Sequence, residues 1–185
     1  VKAKKLCDEL RGKVEVVDHS TSMNTGRAGR TRMESVAEGA MVLHLACTAL
    51  GVEHVVWVTP QQLALATLTT AERGMALIAG LIPAQTGHEN LAVALDRQSA
   101  DLLRTPADVR LLLVLHDGYP NDGVKAKKLC DELRGKVEVI GLLLDPDDGT
   151  RIAMTEIFGQ DRLVACKSKE LPKKLAAMLR SVRGN

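Results

Sequence analysis

"VRLLLVLHDG", Val109–Gly118, carries five apolar residues in a row, Leu111 to Leu115, before it breaks at His116, Asp117 and Gly118. A strand with one wet face would alternate apolar and polar residues. An unbroken run marks a strand covered on both faces. "VEVIGLLLD" (137–145) has the same character, and Val14–Val17, Val52–Val58 and Arg162–Cys166 read as shorter strands, with Gln62–Leu68 as an edge strand. Helical spacing fills the gaps. Arg32–Leu50 places Met33, Val36, Ala37, Ala40, Met41 and Leu43 on the apolar side and stops at Gly51. Ala71–Leu81 and Leu91–Leu103 are the next helices. Ala126, Leu129, Cys130 and Leu133 fall at i, i+3, i+4 and i+7 of another, with Gly135 just past its end as a cap. The segment 170–182 closes as a helix with Pro172 in its first turn, where proline is tolerated. Such β-α alternation predicts an α/β fold, an open parallel sheet with helices on both faces. Ligands of these folds lie beyond the carboxyl ends of the strands, where the strand order reverses.

The composition narrows the function. The chain has 185 residues, 45% hydrophobic and 26% charged, which suits a single domain spanning 1–185. A net charge of +2 gives no electrostatic case for nucleic acid or an anionic membrane. Trp57, Tyr119 and Phe158 are the only aromatics, too few for a base-stacking platform. No apolar run approaches the ~20 residues that span a bilayer. Residues 1–11 are charged throughout, unlike a secretory signal. The four cysteines, Cys7, Cys47, Cys130 and Cys166, form no CxxC pair, which argues against structural zinc and for reduced thiols in the cytoplasm.

One repeat interrupts this ordinary picture. "VKAKKLCDELRGKVEV" occurs at 1–16 and again, unchanged, at 124–139. Solenoid repeats drift and number three or more; two perfect, distant copies point to a recent duplication, a transplant or an artefact. Residues 1–13 then form an extra N-terminal helix, the duplicate of 124–136. The glutamate of "VEV" suits the second copy better, since Glu138 lies seven residues before Asp145 but Glu15 only three before Asp18. With both copies in the fold, 14–17 takes the central slot beside 109–116 and 137–144 the next one out. Identical segments can also exchange slots, so a domain-swapped dimer is expected.

Polar residues gather at the ends of these strands. "VDHSTSMN" (17–24) offers Asp18, Ser20 and Ser22 at every second position. Asp117 ends the apolar strand, and "TGHENLAVAL" (86–95) opens a helix with Thr86 and Glu89 near its start. Hard divalent cations take oxygen ligands, and Mg²⁺ takes six, several of them water. An isolated DxSxS says little, because Asp and Ser favour loops. Joined to a strand-terminal "HDG" and a polar helix start, it says much more.

These stretches, "DHSTSM", "GHENLAVAL" and "LLLVLHDGYPND", resemble the three loops of the metal-ion-dependent adhesion site of von Willebrand factor A domains. The resemblance covers roughly residues 14–183. It implies a Rossmann-like, mostly parallel sheet of about six strands. It also implies a protein-interaction role without catalysis, and a divalent cation, Mg²⁺ with Mn²⁺ or Ca²⁺ as alternatives. Ser20 and Ser22 would bind the metal directly, with Asp18 and Asp117 helping directly or through water. Glu89 stands where the family has a metal-binding threonine; Thr86 is the alternative third-loop ligand. Asp18, Asp117 and Glu89 would leave an Mg²⁺ site one negative charge in excess and oppose an acidic partner. The tail "FGQDRLVACKSKELPKKLAAML" resembles the intracellular branch, of CobT type and nitric-oxide-reductase activation type, which implies a MoxR-type AAA+ ATPase as partner.

Rival readings concern the same loops. His19, His88 and His116 would favour zinc, copper, iron or nickel if they faced the ligands, but neighbours of strand-end ligands usually point to the opposite side. A metal-dependent phosphate-ester hydrolase would cast Asp18 as nucleophile and His19 or His116 as proton donor; Ser20 occupies the position where an acid two residues after Asp18 would stand. "GRAGRTR" (26–32) lacks the P-loop GK[ST] and reads as a solvated loop, with partner contact as its second role. Asp145, Asp147 and Asp148 lack calcium-loop spacing and read as a solvated turn, while Cys47 and Cys166 read as core residues.

Overall fold

The structure, a computed structural model, describes residues 13–18, 26–27, 30–49, 54–59, 63–65, 90–104, 106–107, 110–171 and 173–174. Its elements, in chain order, are β1 (Lys13–Asp18), a small hairpin of β2 (Gly26–Arg27) and β3 (Arg30–Thr31), α1 (Arg32–Ala49), β4 (His54–Thr59) and β5 (Leu63–Leu65). Then follow α2 (Leu91–Arg104), β6 (Leu111–His116), α3 (Gly123–Leu133), β7 (Glu138–Leu144), α4 (Asp148–Phe158), β8 (Leu163–Cys166) and a 3₁₀ turn, Ser168–Glu170. The sheet runs β5-β4-β1-β6-β7-β8; β5 is antiparallel to β4 and every other pair is parallel.

The apolar run of β6 behaves as its sequence demands. Every residue from Leu111 to His116 is buried. Leu112 and Val114 pack into a core with Leu91 and Leu95 of α2, Cys130 and Leu133 of α3, Val139 and Leu143 of β7, and Met154, Ile157 and Phe158 of α4. Leu111, Leu113 and Leu115 alternate to the other face and are equally buried. Met33, Val36, Ala37 and Ala40 of α1, all fully buried, lie on a helix that packs against β4. The fold is thus α/β, with a parallel sheet and packed helices. Among the described residues no helix is long and apolar enough to cross a membrane.

Two backbone choices hold the α3-β7-α4 layer together. Gly135 takes φ +76 just after α3, a conformation that costs a side chain about 1 kcal/mol or more. Lys136 and Val137 then donate their N–H groups to Leu133 O, closing the helix and launching β7. In β7 itself, a Cβ at Gly141 would lie 2.7 Å from Phe158 Cδ2, so only glycine lets the ring lie flat on the strand.

Helix α4 is absent from the expectations above: its "DPDDG" start looked like a solvated turn. The structure makes Asp147 the N-cap, its Oδ1 accepting the Thr150 N–H at 2.7 Å, with Asp148 in the first turn near the positive helix end. Met154, Ile157 and Phe158 supply the buried face. Of the expected elements, the helix at 71–81, the N-terminal helix and the closing helix beyond 174 lie outside the described residues.

The duplicated segments do occupy neighbouring slots around β6. They are threaded two residues apart. Lys13 and Glu138 both align with Leu111, so Glu15 aligns with Leu113 and Val56 in mid-strand. Glu138 instead sits at the start of β7, half exposed, with Arg162 Nε donating to its Oε1 at 3.0 Å. The same "VEV" therefore places its glutamate near solvent in one copy and opposite a buried leucine in the other.

Candidate functional site

From β1 the chain crosses to β4 on one side, and from β5 it returns to β6 on the other, so the strand order reverses between β1 and β6. That gap is where α/β sheets of this kind take ligands. Both strands end there on an aspartate. Asp18 closes β1 in register with Thr59, one step beyond the Val17–Leu115 pair, and Asp117 follows β6 directly. The sequence-predicted carboxylates thus share one sheet edge. Ser20, Ser22, Thr86, Glu89, His19 and His88 lie outside the described residues.

Asp117 is the best-described member. Its side chain is 2% exposed, yet it carries a charge, which demands a partner. Arg32 Nη1 donates to Asp117 Oδ2 at 3.1 Å, and Arg32 Nε lies 3.6 Å from Asp145 Oδ2, at the end of β7. Arg32 is held in place by its helix start. Thr31 and Glu34 form a reciprocal cap, with Thr31 N–H donating to Glu34 Oε2 at 2.7 Å and Glu34 N–H to Thr31 Oγ1 at 3.1 Å. Asp145 is fixed too: its N–H donates to Cys166 O at 2.9 Å, and its backbone sits at φ +47, a conformation Asp tolerates better than most residues. Within "GRAGRTR", Gly26–Arg27 and Arg30–Thr31 therefore pair as antiparallel strands that lead into a helix whose first residue reaches the site, and Asp145 is an ion-paired residue of that edge. Neither belongs to a solvated loop. The "T-x-x-E" cap at 31–34 is the signal in the sequence that would have fixed Arg32 at a helix start.

The segment after Asp117 is tied to the start of α2 through Asp122. Asp122 stands at the N-cap of α3 but makes no side-chain bond to that helix. Its Oδ2 instead accepts the Ala92 N–H, 2.9 Å away, at the start of α2. A carboxylate on a helix N-terminus is favoured by hydrogen bond and dipole together. The bond fixes the start of α2, the helix that follows Asn90, against the start of α3. His116 is buried, and its Nδ1 accepts the Gly118 N–H at 3.3 Å. That bond braces the loop to which His116 belongs.

What could this edge hold? Its donors are oxygens, the set that suits Mg²⁺, Mn²⁺ or Ca²⁺. Asp117 and Asp145 carry two negative charges against the single positive charge of Arg32. An excess of acid over base among these three side chains, at a strand switch point, suits a divalent cation. Among the described residues, no three His, Cys, Asp or Glu side chains converge on one metal position.

No family model and no curated protein matches the chain. Solved structures do. The chain is similar to proximal thread matrix protein 1 from the mussel byssus with a zinc-occupied MIDAS motif (17% identity, 94% of this chain, 48% of that one, TM-score 0.72). It is similar to a von Willebrand factor type A protein from Catenulispora acidiphila (14% identity, 94% and 43%, TM-score 0.67). It is also similar to the manganese-loaded TRAP protein of Plasmodium vivax (16% identity, 90% and 72%, TM-score 0.63). The chain spans less than half the length of the first two. At these identities the likeness is one of fold, and that fold is of the von Willebrand factor A type.

Proposed function

We propose that the chain is a metal-binding, non-enzymatic protein-interaction domain of the von Willebrand A type. Asp18, Ser20, Ser22, Glu89 and Asp117 would hold one divalent cation at the β1–β6 edge. The observation that carries this is the buried Asp117 carboxylate, set beside the end of β1 at the switch point of the sheet. The zinc of the byssus protein's MIDAS motif and the manganese of the TRAP protein support a divalent cation on this fold. The cation would supply a positive pole for an acidic group on a partner. The residues of this chain would do the rest: Asp117 gives the pole a fixed seat, Asp122 holds the start of α2 beside it, and Glu89 tempers the attraction. Mg²⁺ is the cation proposed, in a cytoplasmic setting. A MoxR-type AAA+ ATPase is the partner class proposed from the tail motif.

The hydrolase rival needs a proton donor that substrate can reach, and the burial of His116 weighs against its serving as one. The test is a pull-down from a native lysate with the wild-type chain and Asp117→Ala, each with Mg²⁺ or with a chelator. A partner retained only by the wild-type chain and only with Mg²⁺ is expected. A partner retained equally with the chelator would refute the metal's role. Turnover of a generic phosphate ester that depends on Mg²⁺ and Asp18 would replace the interaction reading with the enzyme.

A further inference from the structure

The carboxylate at the centre of the candidate site has a cation of its own. Arg32 Nη1 sits 3.1 Å from Asp117 Oδ2, and the same guanidinium reaches toward Asp145 through Nε at 3.6 Å. Arginine cannot shed this charge, since its guanidinium stays protonated in proteins. Its location is unusual for a cation: Arg32 opens an eighteen-residue helix, where the positive end of the dipole disfavours added positive charge. The two carboxylates offset that penalty, and the Thr31–Glu34 cap keeps the helix start from drifting. Asp145 adds a second cue. It is the one non-glycine residue among those described with positive φ, and it directly follows β7, the strand that flanks β6 on the side away from β1.

We infer that Arg32 sets the affinity of this edge for divalent cations, by competing for Asp117, and that Asp145 is the carboxylate to which the guanidinium yields when a metal takes Asp117. This role rests on the metal-binding function proposed above. Asp117 cannot give its full negative charge both to a guanidinium and to a metal. The two ends of the salt bridge therefore make the site's strength a difference between competing cations. Such a device weakens binding in exchange for selectivity, because only an ion that outbids the arginine is retained.

Calorimetric titration of the full chain with Mn²⁺ tests it, on wild type, Arg32→Gln and Arg32→Lys, with folding checked by circular dichroism. Arg32→Gln should bind Mn²⁺ about tenfold more tightly, about 1.4 kcal/mol, a coupling of ordinary size. Arg32→Lys keeps the charge and should stay within about threefold of wild type. The Arg32→Gln protein should also melt lower than wild type without metal and recover with saturating Mn²⁺. Equal or weaker binding by Arg32→Gln, with wild type binding normally, overturns the role of Arg32 and leaves the metal site standing. Absence of Mn²⁺ binding in all three proteins overturns both. Should Arg32→Gln fail to fold, Asp145→Asn gives a second test. Confining the guanidinium to Asp117 should weaken Mn²⁺ binding about threefold, and unchanged or tighter binding overturns the inference.

Discussion

Replacing Asp122 by alanine removes a bond that links the segment after Asp117 to the start of α2. In the native chain its Oδ2 accepts the Ala92 N–H at 2.9 Å, at the first turn of α2. A hydrogen bond to a charged group contributes about 1.5–3 kcal/mol, and loss of a capping side chain costs typically about 1 kcal/mol; the two figures describe the same bond and are not summed. An offset exists, because Asp122 Oδ1 is buried and has no hydrogen-bond partner among the described residues, so its removal recovers some desolvation. The net loss should be about 1–2 kcal/mol, or roughly 2–8 °C in melting temperature for a chain of this size. Asp122→Asn keeps an acceptor oxygen and drops the charge, so it should lose about half as much. Urea unfolding of the three proteins measures this, with an unchanged slope showing that the unfolded state is not the cause. Because Ala92 is three residues beyond Glu89, Mn²⁺ affinity should fall several-fold in the alanine variant as well. Stability of Asp122→Ala within about 0.3 kcal/mol of wild type would show that α2 does not depend on this tether.

Other perturbations have equally definite outcomes. Gly141→Ala drives a methyl against the buried Phe158 ring, at 2.7 Å from Cδ2, and should cost about 1–3 kcal/mol by thermal unfolding without moving metal affinity. Glu15→Val, opposite Leu113 and Val56, should instead raise the urea midpoint by an amount equivalent to about 1 kcal/mol or more; a loss would mean that the glutamate has a partner worth keeping. Glu89→Thr removes one negative charge and should strengthen metal-dependent binding of a carboxylate-bearing partner, measured by titration. Burial pushes the Cys130 and Cys166 thiols from 9.0 up to about 11. In the native chain these two thiols should therefore resist alkylation at pH 8, and their ionisation in the unfolded chain should erode stability as pH rises from about 9 through about 11, read by unfolding at stepped pH.

The parallel sheet was legible because its strands are continuously apolar, and Leu111–Leu115 alone excluded a half-wet sheet. Helix α3 was legible from Ala126, Cys130 and Leu133 at helical spacing. Helix α4 was not, since its start is a string of acidic turn formers and its buried face, Met154, Ile157 and Phe158, is short. Turn chemistry and N-cap chemistry use the same residues, and only the apolar spacing that follows separates them. At the site, Asp117 was readable as a strand-terminal carboxylate. Its pairing with Arg32, eighty-five positions earlier, depends on which strands are neighbours, and no local pattern reports that. Asp122 was hidden for a similar reason: it stands at the start of one helix and caps another.

The central claim is that the β1–β6 edge binds a divalent cation through carboxylates on both strands. Calorimetric titration of wild type, Asp18→Ala and Asp117→Ala with Mg²⁺ and Mn²⁺ addresses it most directly. One cation per wild-type chain, lost in both variants while their circular dichroism stays native, is the expected result. Undiminished binding by the Asp18→Ala protein would place the cation elsewhere and contradict the site.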